Sequence, residues 1–323
     1  SFIKSHVKRR ETIEDAKRLI PNTYASRKMW MNTPMGSGSG SDAGYPSKVF
    51  HSDVFSLWNY VSLWGSWNHG IAQTPGSWVD AAHKNGCDIM GGTVFFDRQG
   101  DVGYAQWQKM VNAINDQTTA GFERFKYVKP LIHMLRYFGM DGININWEVG
   151  SPESSAQFHK ALYKYAKQIG FNNFHLGLYT TSSSLNSGNV DYLYAQTDGQ
   201  VADAMLNYGG EWLMGRSAQA ARQANPSIGT TGVWQGFWIV KMDHSWTALN
   251  NSEDAKTINL CLWGEHKDSR FWSYNSGASS FDAQANYQTF LERAFSGGKR
   301  NPLQRPTVSN TGNKMEWNGD IPP

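Results

Sequence analysis

The sequence predicts one α/β domain built as a (β/α)8 TIM barrel, and three observations lead there. Strand-like runs recur along the chain with helical stretches between them, the order that gives a parallel sheet covered by helices. Eight such runs can be picked out, the number that closes a barrel. A chain of 323 residues with 40% hydrophobic content can also bury a large core, at a length that suits an α/β barrel better than a sandwich.

The elements follow in order. The first strand candidate, residues 29–32, is short, and the Gly/Ser-rich stretch "MGSGSGSDAGYP" at 35–46 reads as a flexible connection or as a loop at the mouth of a site. Residues 54–65, "VFSLWNYVSLWG", are the second strand. The helix "GSWVDAAHKNG", with Ser77 as N-cap and Asn85-Gly86 as stop, then leads into a third strand at 88–96. "GFERFKYVKPLIHMLRYFG" lines up Phe122, Phe125, Leu131 and Leu135, ends at Gly139 and is expected to kink at Pro130. It delivers the fourth strand, 141–148. "SPESSAQFHKALYKYAKQIG", capped by Ser154 or Ser155 and stopped at Gly170, delivers the fifth, 174–180. The last three runs are 203–208, 232–240 and 257–264. The barrel is expected over residues 1–300, and residues 301–323, without periodicity, read as an irregular extension or a linker to further domains.

Composition excludes some functions. The net charge is only +3, and no basic run exceeds "VKRR" at 7–10, so a nucleic-acid or membrane surface is not expected. No run of about 18 apolar residues predicts a membrane span, and the chain opens at Ser1 without a signal-like segment, as a mature or trimmed chain would. Cys87 and Cys261 lie in apolar runs and read as buried free thiols, although sequence alone leaves a disulfide open. His69, His83 and His266 lack metal-ligand spacing, and His83, beside Asn85-Gly86, reads as a capping or surface residue. Neither a metal nor a cofactor is expected. The 14 tryptophans hint at a carbohydrate ligand, because sugars stack their C–H faces on rings; burial in the core is the competing explanation.

The chemistry concentrates in "DGININWE", residues 141–148. Ile143, Ile145 and Trp147 alternate with Asn144, Asn146 and Glu148, so Asn146 and Glu148 share a face, and Glu148 ends the strand where barrels keep their active sites. Retaining glycosidases usually pair two carboxylates about 5 to 5.5 Å apart, and here the partner position holds an amide. Substrate-assisted hydrolysis removes the difficulty: a 2-acetamido group attacks its own anomeric carbon, Glu148 serves as acid/base, and Asn146 accepts the acetamide N–H. Such an acid calls for burial beside rings, which Trp147, on the other face, cannot supply.

"DGININWE", together with "YVSLWGSWNHGIAQTPGSWVDAAHKNGCDIMGGTVFF" at 60–96, resembles the glycoside hydrolase family 85 endo-β-N-acetylglucosaminidases. The similarity continues more weakly through "LGLYT", "LNY" and "GVWQGFW", roughly two-thirds of the chain in all. The resemblance implies that Asn146 stabilises the oxazolinium, that Glu148 is the acid/base, and that Tyr179 lies near the bound acetamide and glycosidic oxygen. It further implies cleavage of the β-1,4 bond in the N,N′-diacetylchitobiose core of N-glycans, with transglycosylation following from the oxazoline.

Asn207, Trp64, Trp234 and Trp263 are further candidates for sugar contacts, with a structural role as the alternative for each; Asn144, one layer deeper, reads as structural, as does Asp141. Two other functions stay open: a glycan-binding barrel without catalysis, and a chitinase-like family 18 hydrolase. Retention of Glu148 argues against the first, and Asn144 and Asn146, standing where family 18 has aspartates, argue against the second. The expected partner is an N-linked glycan or glycoprotein, the expected state a monomer, and the expected setting extracytoplasmic in a bacterium, or cytosolic in a eukaryote.

Overall fold

The computed structural model describes residues 4–5, 7–9, 27–33, 58–65, 67, 69–238 and 252–263. The Gly/Ser-rich stretch, His266 and residues 301–323 lie outside them. The strands are β1 (Met29–Asn32), β2 (Leu63–Gly65), β3 (Asp88–Ile89), β4 (Thr93–Phe96), β5 (Gly142–Trp147), β6 (His175–Tyr179), a small hairpin of β7 (Ala195–Gln196) and β8 (Gly199–Gln200), β9 (Asp203–Leu206), β10 (Val233–Trp238) and β11 (Asn259–Trp263). All but the hairpin join one sheet in the order β3-β2-β1-β11-β10-β9-β6-β5-β4, every pairing parallel.

The two ends of that order are consecutive pieces of a single run. Between β3 and β4 the backbone bonds continue on both sides: Met90 N–H donates to Trp64 O (2.8 Å), while Gly91 N–H reaches Gly142 O (2.7 Å) and Asn144 N–H reaches Gly92 O (2.9 Å). The sheet therefore closes on itself as an eight-stranded barrel, and each of the eight sequence runs contributes one strand.

Alternation divides the core in two. Met29, Met31, Ile143, Ile145, Leu176 and Leu178 point outward against the helices, while Trp30, Leu63, Met90, Met205, Trp234 and Cys261 fill the barrel. Trp30 meets Trp234 edge-on at 5.8 Å. Gly177 makes room for it, since a Cβ there would lie 2.5 Å from the Trp30 ring. Cys87 and Cys261 are buried free thiols. Among the described residues no helix is long and apolar enough to cross a membrane.

The helices are α1 (Gly76–Lys84), α2 (Val102–Asn112), α3 (Val128–Phe138), α4 (Ala156–Gln168), α5 (Val190–Leu193) and α6 (Met214–Ala224), with a short turn of helix at Glu253–Lys256. Two sequence expectations are corrected. The N-cap of α1 is Pro75, and Ser77 falls inside the first turn. The stretch containing Pro130 is not one kinked helix: a 3-10 turn, Gly121–Arg124, precedes α3, which starts close enough to Pro130 that its missing N–H costs no intrahelical bond. Ser155 holds the N-cap position of α4 as expected, but its hydroxyl makes no capping hydrogen bond, and the left-handed Gly170 follows the helix as expected.

The N-terminal end of the barrel is pinned by charge. His175 lies between Asp88 (Nε2 to Oδ2, 2.9 Å) and Asp203 (Nδ1 to Oδ2, 3.3 Å). Asp203 also accepts from Tyr163 Oη (2.6 Å) and Trp234 Nε1 (3.0 Å), and Asp88 meets Arg9 Nε at 2.8 Å. Alongside, His83 reaches Asp141 Oδ2 through Nε2 (2.7 Å) and donates from Nδ1 to the Val7 carbonyl (2.6 Å). His83 is thus neither a cap nor a surface residue. It is buried, and it ties the helix α1 to the start of β5. Burial by itself would lower its pKa, but Asp141 outweighs that and raises it.

Burial likewise opposes the charge on His175, and the two aspartates overcome it, pushing its pKa up to about 10. The folded value lies above the unfolded value of about 6.5, so this stabilisation is complete below about pH 6.5 and is lost as pH rises through about 10. The gap in thermal midpoint between the wild type and His175→Gln is accordingly expected to be wide at pH 6.5 and to narrow by pH 10; a gap independent of pH would mean that His175 is not held charged.

Candidate active site

The opposite, C-terminal end of the strands carries the chemistry. The register sets Phe95 of β4, Asn146 of β5 and Tyr179 of β6 side by side, with Thr93, Asn144 and Gly177 one layer below. Asn144 donates to Asn32 Oδ1 (3.1 Å) in that lower layer, the structural role expected of it. Asn146 is 2% exposed, whereas Glu148, the first residue past β5, faces solvent. Its backbone N–H donates to Phe96 O at 3.3 Å, which holds the chain in strand geometry to the rim.

Asn146 Nδ2 donates to Glu148 Oε1 at 2.9 Å. The amide nitrogen is thereby turned to the carboxylate, and the amide oxygen, an acceptor, is left facing the other way. Trp147 points outward into the core between Phe96 and Tyr104, so it leaves the acid uncovered. Enclosure of Glu148 by rings, expected from sequence, is not built into this end of β5.

Tyr179 is 8% exposed, and its hydroxyl accepts from Asn207 Nδ2 at 3.0 Å. Burial, followed by the nearby Tyr208 and Glu148, pushes its pKa well above the usual phenol range, so it keeps its proton. The same influence places Glu148 within electrostatic reach of the phenol. Asn146, Glu148, Tyr179 and Asn207 thus share the rim of three adjacent strands.

Aromatic rings continue the wall. Tyr208 stacks on Trp263 (5.7 Å between centroids, 20° between planes), and Trp238 lies about 6 Å from both. Trp67 meets Trp263 at 5.8 Å and Phe95 at 6.2 Å, and His69 stacks on Phe95 at 4.6 Å. Trp263 therefore sits where the sequence places a sugar contact.

The other two tryptophans do not. Trp234 is 1% exposed, hydrogen-bonded to Asp203 at the opposite end of the barrel; Trp238, of the same parity, is the β10 ring that reaches the mouth, about 13 Å farther along the strand. Trp64 has outward parity and packs in the layer between sheet and helices, against Trp58 at 5.4 Å. Tyr208, Trp238, Trp67 and Phe95 were not singled out from sequence. For Trp238, counting two-residue steps toward the strand's C-terminus would have found it. Trp67 takes a left-handed φ of 51°, which no local pattern signals. No group of His, Cys, Asp or Glu among the described residues could hold a metal ion.

Residues 39–195 match the family model of glycosyl hydrolase family 85, a span that holds Asn146, Glu148 and Tyr179 and stops short of Asn207 and Trp263. Among solved structures, the chain resembles the glycoside hydrolase domain of Endo-D from Streptococcus pneumoniae R6, at a TM-score of 0.60 and 17% identity over 95% of this chain and 48% of that one. The likeness is one of fold, and the chain spans about half the length of the structure it matches. No curated protein matches the sequence.

Replacing the three tryptophans is expected to separate stability from binding. Trp64→Ala and Trp234→Ala should each destabilise the fold by about 3 to 5 kcal/mol, as losses of large buried rings do, whereas Trp263→Ala, of a partly buried ring, should cost less stability and raise KM. Chemical denaturation and steady-state kinetics on one glycopeptide read the two effects.

Proposed function

We propose that the chain, whose residues 39–195 match the model of glycosyl hydrolase family 85, is an endo-β-N-acetylglucosaminidase cleaving the β-1,4 bond of the N,N′-diacetylchitobiose core of N-glycans. The observation that carries the reading is the 2.9 Å bond from Asn146 Nδ2 to Glu148 Oε1 at the barrel mouth, one carboxylate coupled to one oriented amide.

In this mechanism the acetamide oxygen of the sugar closes on its own anomeric carbon. Glu148 gives its proton to the departing glycosidic oxygen as that bond breaks. The acetamide nitrogen gains positive character, and the Asn146 amide oxygen accepts its N–H as the oxazolinium forms. Glu148, now a carboxylate, takes a proton from water, which adds to the anomeric carbon from the face the leaving group vacated, so configuration is retained. An alcohol in place of water gives glycan transfer. The exposed setting of Glu148 leaves its desolvation to the bound glycan, and the rings of Tyr208, Trp238 and Trp263 offer faces for the flanking sugars.

Glu148→Gln is expected to lose hydrolysis of a natural glycopeptide by about 10² to 10⁴. Turnover within tenfold of the wild type would sink the assignment. Asn146→Ala should slow oxazoline formation by about 10² to 10³ yet still transfer a preformed glycan oxazoline, because the step that Asn146 assists is then already complete. The measurement is the ratio of transfer to hydrolysis by mass spectrometry. Equal losses in both reactions would reduce Asn146 to a prop for Glu148.

A further inference from the structure

The sequence reading makes Asn207 a sugar contact, but every polar atom of this residue is engaged within the protein. Its backbone N–H donates to Ser182 O (2.8 Å) and its carbonyl accepts from Gln235 Nε2 (2.8 Å). In the side chain, Oδ1 accepts from the Gly209 N–H (3.0 Å) and Nδ2 donates to Tyr179 Oη (3.0 Å). The loop that supplies the Gly209 amide is itself clamped: a Cβ on Gly210 would fall 1.8 Å from Ser183 O, so only glycine admits this approach of the β9 loop to the β6 loop.

The orientation of the amide follows from chemistry. A backbone N–H can only donate, so the atom facing Gly209 is the oxygen, and the atom facing Tyr179 is the –NH2 group, which also can only donate. A phenol that accepts a hydrogen bond from this side must send its own proton elsewhere. The other groups that act on this phenol are the Tyr208 hydroxyl and Glu148, at the mouth where the sugar would lie.

We propose that Asn207 is a positioning residue: held by the Gly209 amide, it fixes Tyr179 as a hydrogen-bond donor toward the mouth, where Tyr208, Glu148 and the bound sugar lie. This rests on the reading of the mouth as a glycosidase site. Asn207 touches no substrate and acts through the direction of one O–H bond. In the sequence "LNYGG", residues 206–210, the asparagine then sets the polarity, Gly209 supplies the reference N–H and Gly210 the close approach.

Asn207→Asp tests it, because the carboxylate keeps the shape and the Gly209 bond but presents an acceptor to Tyr179, reversing the polarity. On one glycopeptide, Asn207→Asp is expected to lower kcat by about tenfold or more with little change in KM, as Tyr179→Phe is also expected to, and to cost nothing further in the Tyr179→Phe background. Asn207→Ala, which removes the donor without adding a charge, should give a smaller loss that also vanishes in that background, and it serves if the aspartate variant unfolds early in a thermal melt. A loss of equal size in both backgrounds, or wild-type kcat in Asn207→Asp, overturns the proposal while leaving the glycosidase reading in place. Wild-type kcat in Tyr179→Phe overturns the proposal through its target, and an active Glu148→Gln is the separate result that removes the glycosidase reading beneath it.

Discussion

Everything at the mouth depends on the run from Asp88 to Phe96 being hydrogen-bonded on both of its edges. Its first half pairs with β2 and its second half with β5, so one short segment closes eight strands into a ring. Without that closure Asn146 and Glu148 would sit on the edge of an open sheet, with Phe95 nowhere near them. Closure also fixes the depth of each side chain. Once Thr93 is paired with Asn144, Phe95 must stand beside Asn146, because parallel partners keep their parity along the whole ladder.

The barrel separates its ionic groups by function. At the N-terminal end, His175, His83 and Arg9 face Asp88, Asp141 and Asp203 at hydrogen-bond distance, and the charges serve to hold elements together. At the C-terminal end Glu148 stands beside an amide and a phenol, with solvent before it. Buried ionic pairs are costly to assemble and costly to break, which makes them good pins and leaves the mouth free for a group that must gain and lose a proton. The two motifs that resemble family 85 meet in this frame: the helix bearing His83 is bonded to Asp141 at one end of β5, and Glu148 emerges at the other.

The proposed catalytic amide and the proposed positioning amide obey the same logic. Asn146 and Asn207 each have one side-chain atom committed to a protein partner, and that commitment dictates what the other end of the group faces. An amide cannot change sign as a carboxylate or imidazole can, so its direction, once set by the fold, persists through a proton-transfer cycle. That is a reason for a site with one titrating acid to surround it with amides and a protonated phenol.

How much was legible in the sequence follows from what period-two alternation can and cannot carry. Alternation told inside from outside on β5, and with the turn at its end it located Asn146 and Glu148; recurrence of strand and helix signals gave the barrel, all eight strands included. Proximity between strands was out of reach. Trp234 and Trp238 have identical parity; steps along the strand separate their depths, but only the register with β9 and β11 gives one Asp203 as a partner and the other the rings of Tyr208 and Trp263. Trp64 looked like a rim residue by its place at the end of a run, yet outward parity in a strand of three residues sends it to the helices. His83 and Asp141 lie 58 positions apart, and their bond exists because the barrel brings the end of α1 to the start of β5. The sequence by itself determined which side chains face inward and which chemistry they could perform. Which of them meet was left to sheet closure, because register is a property of paired strands and no single strand contains it.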